Sequence, residues 1–217
     1  MLLMLNIKPI VAALSLVFSA STFVTFSAQA IPVSADLFSS GDGLITRDAG
    51  LDWLDLTVTT NTSFDNMNNG TATFAILGNL NPVVDLGFRY ATTAEVTQLF
   101  TNGGMSAQDG GNRLGDFAAA QFLVGLLGTT NSPSTYILSE GIADAGLGLR
   151  LPFVRYSLSS GTGAASLGNT PGSTTESAFW GSYLVRNSPA AIPEPGTLTI
   201  LIVGLVGLGF ARRCIAA

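Results

Sequence analysis

Carboxylates are the main reactive side chains that this sequence offers. Histidine is absent from all 217 residues, which excludes Ser-His-Asp and Cys-His catalysis and histidine-ligated zinc sites. The one cysteine, Cys214, lies close to the C-terminus, and no glycine-rich phosphate-binding loop is present. A candidate site must therefore be built from acids and aromatic side chains.

Three acids lie close together in the first part of the chain: Asp48, Asp52 and Asp55. Their oxygen atoms can ligate Ca²⁺, or two of them can form the carboxylate pair of a glycoside hydrolase. Their spacing matches no EF-hand loop, and a solvated strand face with turn residues explains them equally well. Alternation along the segment 50–56 predicts that Asp52 faces solvent. We expect no catalytic residue, no resident metal and no cofactor.

Three aromatic residues have two possible roles. The side chains of Trp53, Trp180 and Tyr183 can stack on sugar rings. Aromatic residues in apolar, alternating strands are more often part of a hydrophobic core. The sequence leaves both roles open.

The chain is more apolar than a typical soluble protein. Apolar residues make up 47% of it and charged residues only 11%, and the excess is concentrated at the two ends. We therefore expect segments destined for a membrane at both ends.

The N-terminal segment 1–30 has the organisation of a secretory signal peptide. It carries one cation, Lys8, then an apolar core over 10–18, and it ends in small residues with alanine at Ala28 and Ala30. This order is typical of a signal that is cleaved after Ala30. An N-terminal membrane anchor is the alternative, but the apolar core is too short to span a bilayer.

The C-terminal segment 196–211 contains no charged residue and predicts a transmembrane helix. Such a helix is about 24 Å long, shorter than the roughly 30 Å hydrocarbon core of a bilayer. Arg212 and Arg213 follow directly, and positive residues remain on the cytoplasmic side. The residues before the span are therefore expected outside the inner membrane, in agreement with a signal peptide.

Pro193, Glu194 and Pro195 precede the span. Two prolines around one acid cannot continue a helix and favour an extended, accessible segment. The order of motif, span and arginines over 193–217 resembles the PEP-CTERM sorting domain of Gram-negative bacteria. The resemblance implies processing by an exosortase-type enzyme, a transient inner-membrane anchor, and delivery to the cell surface or extracellular space. It also implies an association with exopolysaccharide.

Between the ends we expect one exported passenger domain, residues 31–186, followed by a linker over 187–192. Over residues 31–192 the chain holds six arginines, no lysine and thirteen acids, a net charge of 6 − 13 = −7. Nucleic acid is therefore excluded as a partner, because its recognition relies on lysine and arginine. Without a cysteine, this domain must be stabilised by its hydrophobic core.

The pattern of the passenger domain predicts an α+β fold, a single compact domain of antiparallel strands with two helices. Thr92 and Glu95 form a capping box at the start of the first helix. The expected elements are a hairpin in 36–47, a strand in 50–56, a helical turn near 64–67, a short strand at 73–77, helices from 92 to 103 and from 113 or 114 to 127, strands at 136–138, 154–158 and 179–185, and a loop over 159–176.

Two segments resemble bacterial C-type-lectin-like modules. Residues 50–54, Gly-Leu-Asp-Trp-Leu, match a G-L-x-W strand, and residues 87–96 match the start of the following helix. The resemblance implies that the last strand pairs back near the N-terminus. Phe88 replaces a tryptophan, Ala91 replaces a proline, and disulfides are missing. A generic α+β sandwich is the alternative fold.

Three functions follow from the sequence. The first is a non-enzymatic, sorted surface or matrix protein. The second is a lectin-like, glycan-binding module, and the third is a carboxylate-dependent hydrolase that requires two carboxylates about 5–10 Å apart in one cleft.

Overall fold

The computed structural model describes residues 31–38, 41–146, 148–168 and 170–189. The expected signal peptide, the motif at 193–195, the span 196–211 and the two arginines after it lie outside these residues. In the part of the chain that is described, no helix is both long and apolar enough to cross a bilayer.

The described residues form an α+β domain, as the sequence pattern predicts. The strands are β1 (Val33–Ala35), β2 (Ile45–Asp48), β3 (Leu51–Leu54), β4 (Arg89–Tyr90), β5 (Ile137–Asp144), β6 (Leu149–Arg150), β7 (Phe153–Ser157), β8 (Thr162–Ser166), β9 (Gly181–Ser182) and β10 (Leu184–Asn187). The α-helices are α1 (Phe64–Asn68), α2 (Thr93–Asn102) and α3 (Phe117–Leu127), and 3-10 turns cover Leu56–Thr59, Ala75–Leu77 and Leu114–Asp116.

The first sheet joins the two ends of the domain. Its strand order is β1-β2-β3-β10-β4, and all of its pairs are antiparallel. The last strand, β10, therefore lies between β3 and β4 rather than at an edge. A closing strand that pairs back near the N-terminus is confirmed, although the ladder runs over 184–187 instead of 179–185.

The second sheet has the strand order β6-β5-β7-β8. Helix α3 packs against β7 and β8 on one face of this sheet. Strand β9 pairs in parallel with β5, and Tyr183 donates its backbone N–H to Ile142 at 2.8 Å. The segment that ends in β10 therefore ties the second sheet to the first.

Hydrophobic clusters cover both faces of the first sheet. On one face Trp53 and Val185 pack with helices α2 and α3 and with the second sheet. On the other face Ile45, Leu54 and Leu184 pack under the irregular segments around α1 and β4. Both faces are therefore covered over much of this sheet, so alternation along its strands does not separate a buried face from a solvent face.

Asp52 corrects the sequence prediction, because it is buried rather than solvent-facing, with 1% of its surface exposed. Arg47 on β2 and Arg186 on β10 are its direct partners across the sheet. The Nε of Arg47 lies 2.8 Å from Oδ1, and the Nε of Arg186 lies 3.7 Å from Oδ2. The hydroxyl of Ser188 donates to Oδ1 at 2.5 Å. These residues, Arg47, Asp52, Arg186 and Ser188, are called the Asp52 row below.

The Asp52 row keeps this buried carboxyl ionised. Burial alone raises the pKa of Asp52, but hydrogen bonds from Arg47 and Ser188, with the charges of Arg47 and Arg186, outweigh burial and lower it. Arg186 is itself supported by Phe88, whose ring centre lies 4.7 Å from the guanidinium carbon. A charge in the middle of a sheet is tolerated because it has partners on both sides.

The capping box at the start of α2 is confirmed. The backbone N–H of Glu95 donates to the Thr92 hydroxyl at 3.2 Å, and the backbone N–H of Thr92 donates to the Glu95 carboxylate at 2.8 Å. The prediction of a short strand at 73–77 is wrong, because Ala75–Leu77 form a 3-10 turn. Only an isolated bridge between Phe74 and Leu80 remains of it.

Strand β8 lies in the segment 159–176 that the sequence pattern predicts to be a loop. Its residues are small, Thr-Gly-Ala-Ala-Ser, so the apolar alternation of a strand is missing. Small residues are required because α3 approaches closely. A Cβ on Gly163 would lie 2.3 Å from the carbonyl oxygen of Asp116 and 2.8 Å from the Cβ of Ala120.

We expect Asp52→Asn to destabilise the fold by about 1–3 kcal/mol, because it removes charge-assisted hydrogen bonds of a buried carboxylate and leaves the partly exposed Arg47 and Arg186 without their counter-charge. Since the folded-state pKa is lowered, this contribution is present above the unfolded pKa of about 3.9 and is lost as pH falls through the folded value. Urea unfolding at neutral pH should show the full loss, and the difference from wild type should shrink in acid.

The matched control is Asp109→Asn, because Asp109 forms an exposed pair with Arg113 at 2.7 Å. Exposed pairs are screened by solvent, so this variant should lose much less stability. Equal losses in the two variants would contradict the role given to the Asp52 row.

Candidate functional site

The structure uses each of the three aspartates in a separate structural contact. Asp48 is buried, and its two carboxylate oxygens accept from Nδ2 of Asn102 at 2.9 and 3.0 Å. Asp55 caps the turn that begins at Leu56 and accepts from the backbone N–H and hydroxyl of Thr57 at 2.8 and 2.6 Å. Burial raises the pKa of Asp48 and of Asp55 despite these bonds.

Asp48, Asp52 and Asp55 do not converge on one point. No group of three or more histidines, cysteines or acids that could hold a metal ion occurs among the described residues. The three clefts described below are lined by none of these aspartates. The geometry therefore brings together neither the calcium ligands nor the carboxylate pair considered from the sequence.

Two of the three aromatic residues are core residues. Trp53 and Tyr183 are each 1% exposed, and their rings meet edge to face with centres 6.4 Å apart. Neither ring can reach a ligand on the surface. Trp180 is half-buried and lies by Glu140, so it is the one member of the trio that borders a possible site.

The most chemically diverse cleft lies on the face of the second sheet opposite α3. Its volume is about 250 Å³, and we call it the Glu140–Arg155 cleft. Glu140 pairs with Phe153 across strands β5 and β7, and Leu138 pairs with Arg155. Side chains on one face of paired strands are neighbours. The lining residues are Asn131, Pro133, Tyr136, Leu138, Glu140, Phe153 and Arg155.

Two aromatic rings hold the Arg155 guanidinium. Its central carbon lies 4.3 Å from the ring centre of Tyr136 and 5.1 Å from that of Phe153. Its one hydrogen bond within the described residues is long, 3.4 Å from Nη2 to the side-chain oxygen of Asn112. Its Nε is buried without a partner there, and none of the ion pairs in that part of the chain includes Arg155. The cation is thus fixed in place with most of its donors unused.

Glu140 supplies the opposite charge in the same cleft. Burial raises its pKa to about 6, while hydrogen bonding from Trp180 and the charge of Arg155 oppose the increase. The backbone N–H of Glu140 donates to the hydroxyl of Thr130 at 2.9 Å, which fixes the strand beneath it. At neutral pH the cleft therefore combines an acceptor carboxylate with a donor guanidinium.

A second cleft of about 320 Å³ adjoins the first, because Pro133 and Tyr136 line both. Its other lining residues are mainly hydroxyl-bearing: Ser132, Ser134, Thr135, Ile137, Leu158 and Ser159. We call it the Ser-Thr cleft. Together the two clefts form one groove, which is continuous at Pro133 and Tyr136.

A third cleft of about 450 Å³ lies between α1 and β4. Its cation, Arg89, already forms two hydrogen bonds with Glu95, at 2.6 and 2.9 Å. Its two rings, Phe64 and Tyr90, pack on each other with centres 4.5 Å apart. The arginine of the third cleft is therefore already paired within the fold, whereas the arginine of the Glu140–Arg155 cleft is not.

The sequence pattern indicates only part of the Glu140–Arg155 cleft. Alternation in 154–158 correctly places Arg155 opposite the apolar side of its strand, but nothing in the sequence singles out Glu140. The expected strand at 136–138 stops short of it, because Ser139 and Glu140 end the apolar pattern, whereas β5 continues to Asp144. The pairing of β5 with β7, a contact between distant segments, is what brings these residues together.

Each of the three clefts is lined by at most one carboxylate. The two acids that glycoside hydrolysis requires are therefore not combined in any of them. Comparisons with family models, curated proteins and solved structures found no match to this chain.

We expect Glu140→Gln to stabilise the fold at neutral pH by about 1–2 kcal/mol and to have little effect near pH 4. A raised folded-state pKa means that ionisation costs folding energy. This cost is absent below the unfolded pKa of about 4.3 and complete above the folded value of about 6.

Urea unfolding of both proteins across pH 4 to 8 measures this difference. Glu176→Gln is the control, because Glu176 is exposed and lines none of the three clefts. If Glu140→Gln destabilises the fold at pH 8, Glu140 serves the fold and the cleft assignment is wrong.

Proposed function

We propose that this chain is an exported, non-enzymatic protein of the bacterial cell surface or extracellular matrix, sorted by its C-terminal signal. The signal comprises the motif Pro193, Glu194 and Pro195, the span 196–211 and the arginines Arg212 and Arg213. An exosortase-type enzyme processes the chain while the span holds it at the inner membrane, and the passenger domain is then released outside. Association with exopolysaccharide accords with this route.

The observation that carries the proposal is the way the domain closes. Strand β10 ends at Asn187, and the next residue, Ser188, binds the buried Asp52. The fold therefore uses the chain up to Ser188, and Pro193 follows shortly afterwards in the sequence. A processing enzyme needs a cleavable segment beyond a finished domain and close to the membrane, and this is the order that the sequence provides.

Glycan binding is the second candidate function. The insertion of β10 beside β3, which pairs the last strand with one near the start of the domain, accords with the C-type-lectin-like fold that residues 50–54 and 87–96 resemble. The Glu140–Arg155 cleft adds charged and aromatic side chains of the kind that bind sugars. A cleft with a single carboxylate favours binding over hydrolysis.

We expect replacement of Pro193, Glu194 and Pro195 by alanines to leave an unprocessed, membrane-bound form. Alanines lack the extended, accessible backbone that two prolines impose. Fractionation and intact mass spectrometry of the host protein distinguish the two forms. Pro189→Ala, which changes a proline before the motif, should be processed like wild type, and a mature mass unaffected by the triple replacement would refute the sorting role.

We expect replacement of Ala28 and Ala30 by leucine to block removal of the first thirty residues, because signal cleavage requires small side chains at these positions. N-terminal sequencing should show Ile31 at the start of the wild-type mature chain and an intact N-terminus in the variant. The same replacement at Ala12 and Ala13, inside the apolar core, should leave cleavage unchanged. Normal cleavage of the Ala28/Ala30 variant would count against the assigned site.

A further inference from the structure

The Glu140–Arg155 cleft contains two opposite charges that do not pair with each other. Arg155 lies over the rings of Tyr136 and Phe153, and its donors are largely unused. The Glu140 carboxylate lies in the same cleft, close enough to feel the charge of Arg155 but not in an ion pair with it. Two charges fixed apart by the fold are available to a ligand between them.

The two charges favour a neutral ligand that both donates and accepts hydrogen bonds. A guanidinium is only a donor and an ionised carboxylate only an acceptor, whereas a hydroxyl group serves as either. An anion that binds Arg155 is repelled by Glu140, and a cation that binds Glu140 is repelled by Arg155. The net charge of 6 − 13 = −7 over residues 31–192 further disfavours a polyanion.

The continuity of the two clefts favours a ligand of several units. The Ser-Thr cleft continues from the Glu140–Arg155 cleft through the shared residues Pro133 and Tyr136. Its exposed hydroxyls at Ser132, Ser134 and Thr135 offer further hydrogen bonds. Rings and a proline beside such groups suit a ligand with apolar C–H faces and polar edges.

We propose that the Glu140–Arg155 cleft and the Ser-Thr cleft together bind a segment of a neutral oligosaccharide or polysaccharide. Arg155 donates to one sugar hydroxyl, Glu140 accepts from another, and Tyr136 lies between the two subsites. The inference rests on glycan binding, the second candidate function, and is independent of the sorting signal.

The test is affinity electrophoresis of the full chain, kept in mild detergent, through gels that contain one polysaccharide each. The neutral probes are dextran, galactomannan and xyloglucan, and alginate is the acidic probe. We expect at least one neutral polysaccharide to slow the migration of the wild-type protein.

Two variants test the cleft. Arg155→Lys removes the planar fork of the guanidinium, and Glu140→Gln removes the charged acceptor. Each should weaken binding about tenfold, the effect of one hydrogen bond to a charged group.

Matched controls are Arg150→Lys and Glu176→Gln, which change exposed residues that line neither cleft. Both should bind like wild type. No retardation by any neutral probe, or stronger retardation by alginate, would overturn the inference. Binding that survives both cleft variants would place the glycan elsewhere and overturn it as well. None of these results changes the processed mass, so the sorting proposal stands or fails separately.

Discussion

A buried aspartate between two arginines is the constraint on which the first sheet depends. Asp52 lies on the central strand β3, and its partners come from β2 and from the last strand, β10. Removing either arginine weakens the pairing of a carboxylate that is buried, and removing the carboxylate leaves both arginines without their counter-charge. The row therefore couples the beginning of the domain to its end, and the domain is complete only when residues 184–188 are in place.

The two sheets differ in what they leave exposed, and this difference determines where a site can form. Both faces of the first sheet are covered by hydrophobic clusters, so its polar residues serve the fold. The second sheet is covered by α3 on one face, while side chains such as Glu140 and Arg155 on the other face remain half-buried. Half-burial allows a perturbed pKa and a fixed orientation together with access for a ligand.

Local chemistry made parts of the fold predictable from the sequence. The capping box at Thr92 depends on residues three positions apart, and the structure confirms it. The prediction that Asp52 faces solvent is wrong, because alternation separates the two faces of a strand but does not show that both faces are buried. Strand β8 is not predicted from the sequence, because its residues are small. Their size is set by the close packing of α3 and gives no alternating hydrophobic pattern. The cleft depends on the pairing of β5 with β7, which no local signal encodes.

The central claim is that a domain closed by its last strand lies between two segments that the cell removes. Intact mass spectrometry of the wild-type protein recovered outside its host tests this claim most directly. The account predicts a chain that begins at Ile31, lacks the span 196–211 and Arg212-Arg213, and has a mass well below 22.4 kDa. Recovery of the full-length chain of 217 residues in the same fraction would contradict it.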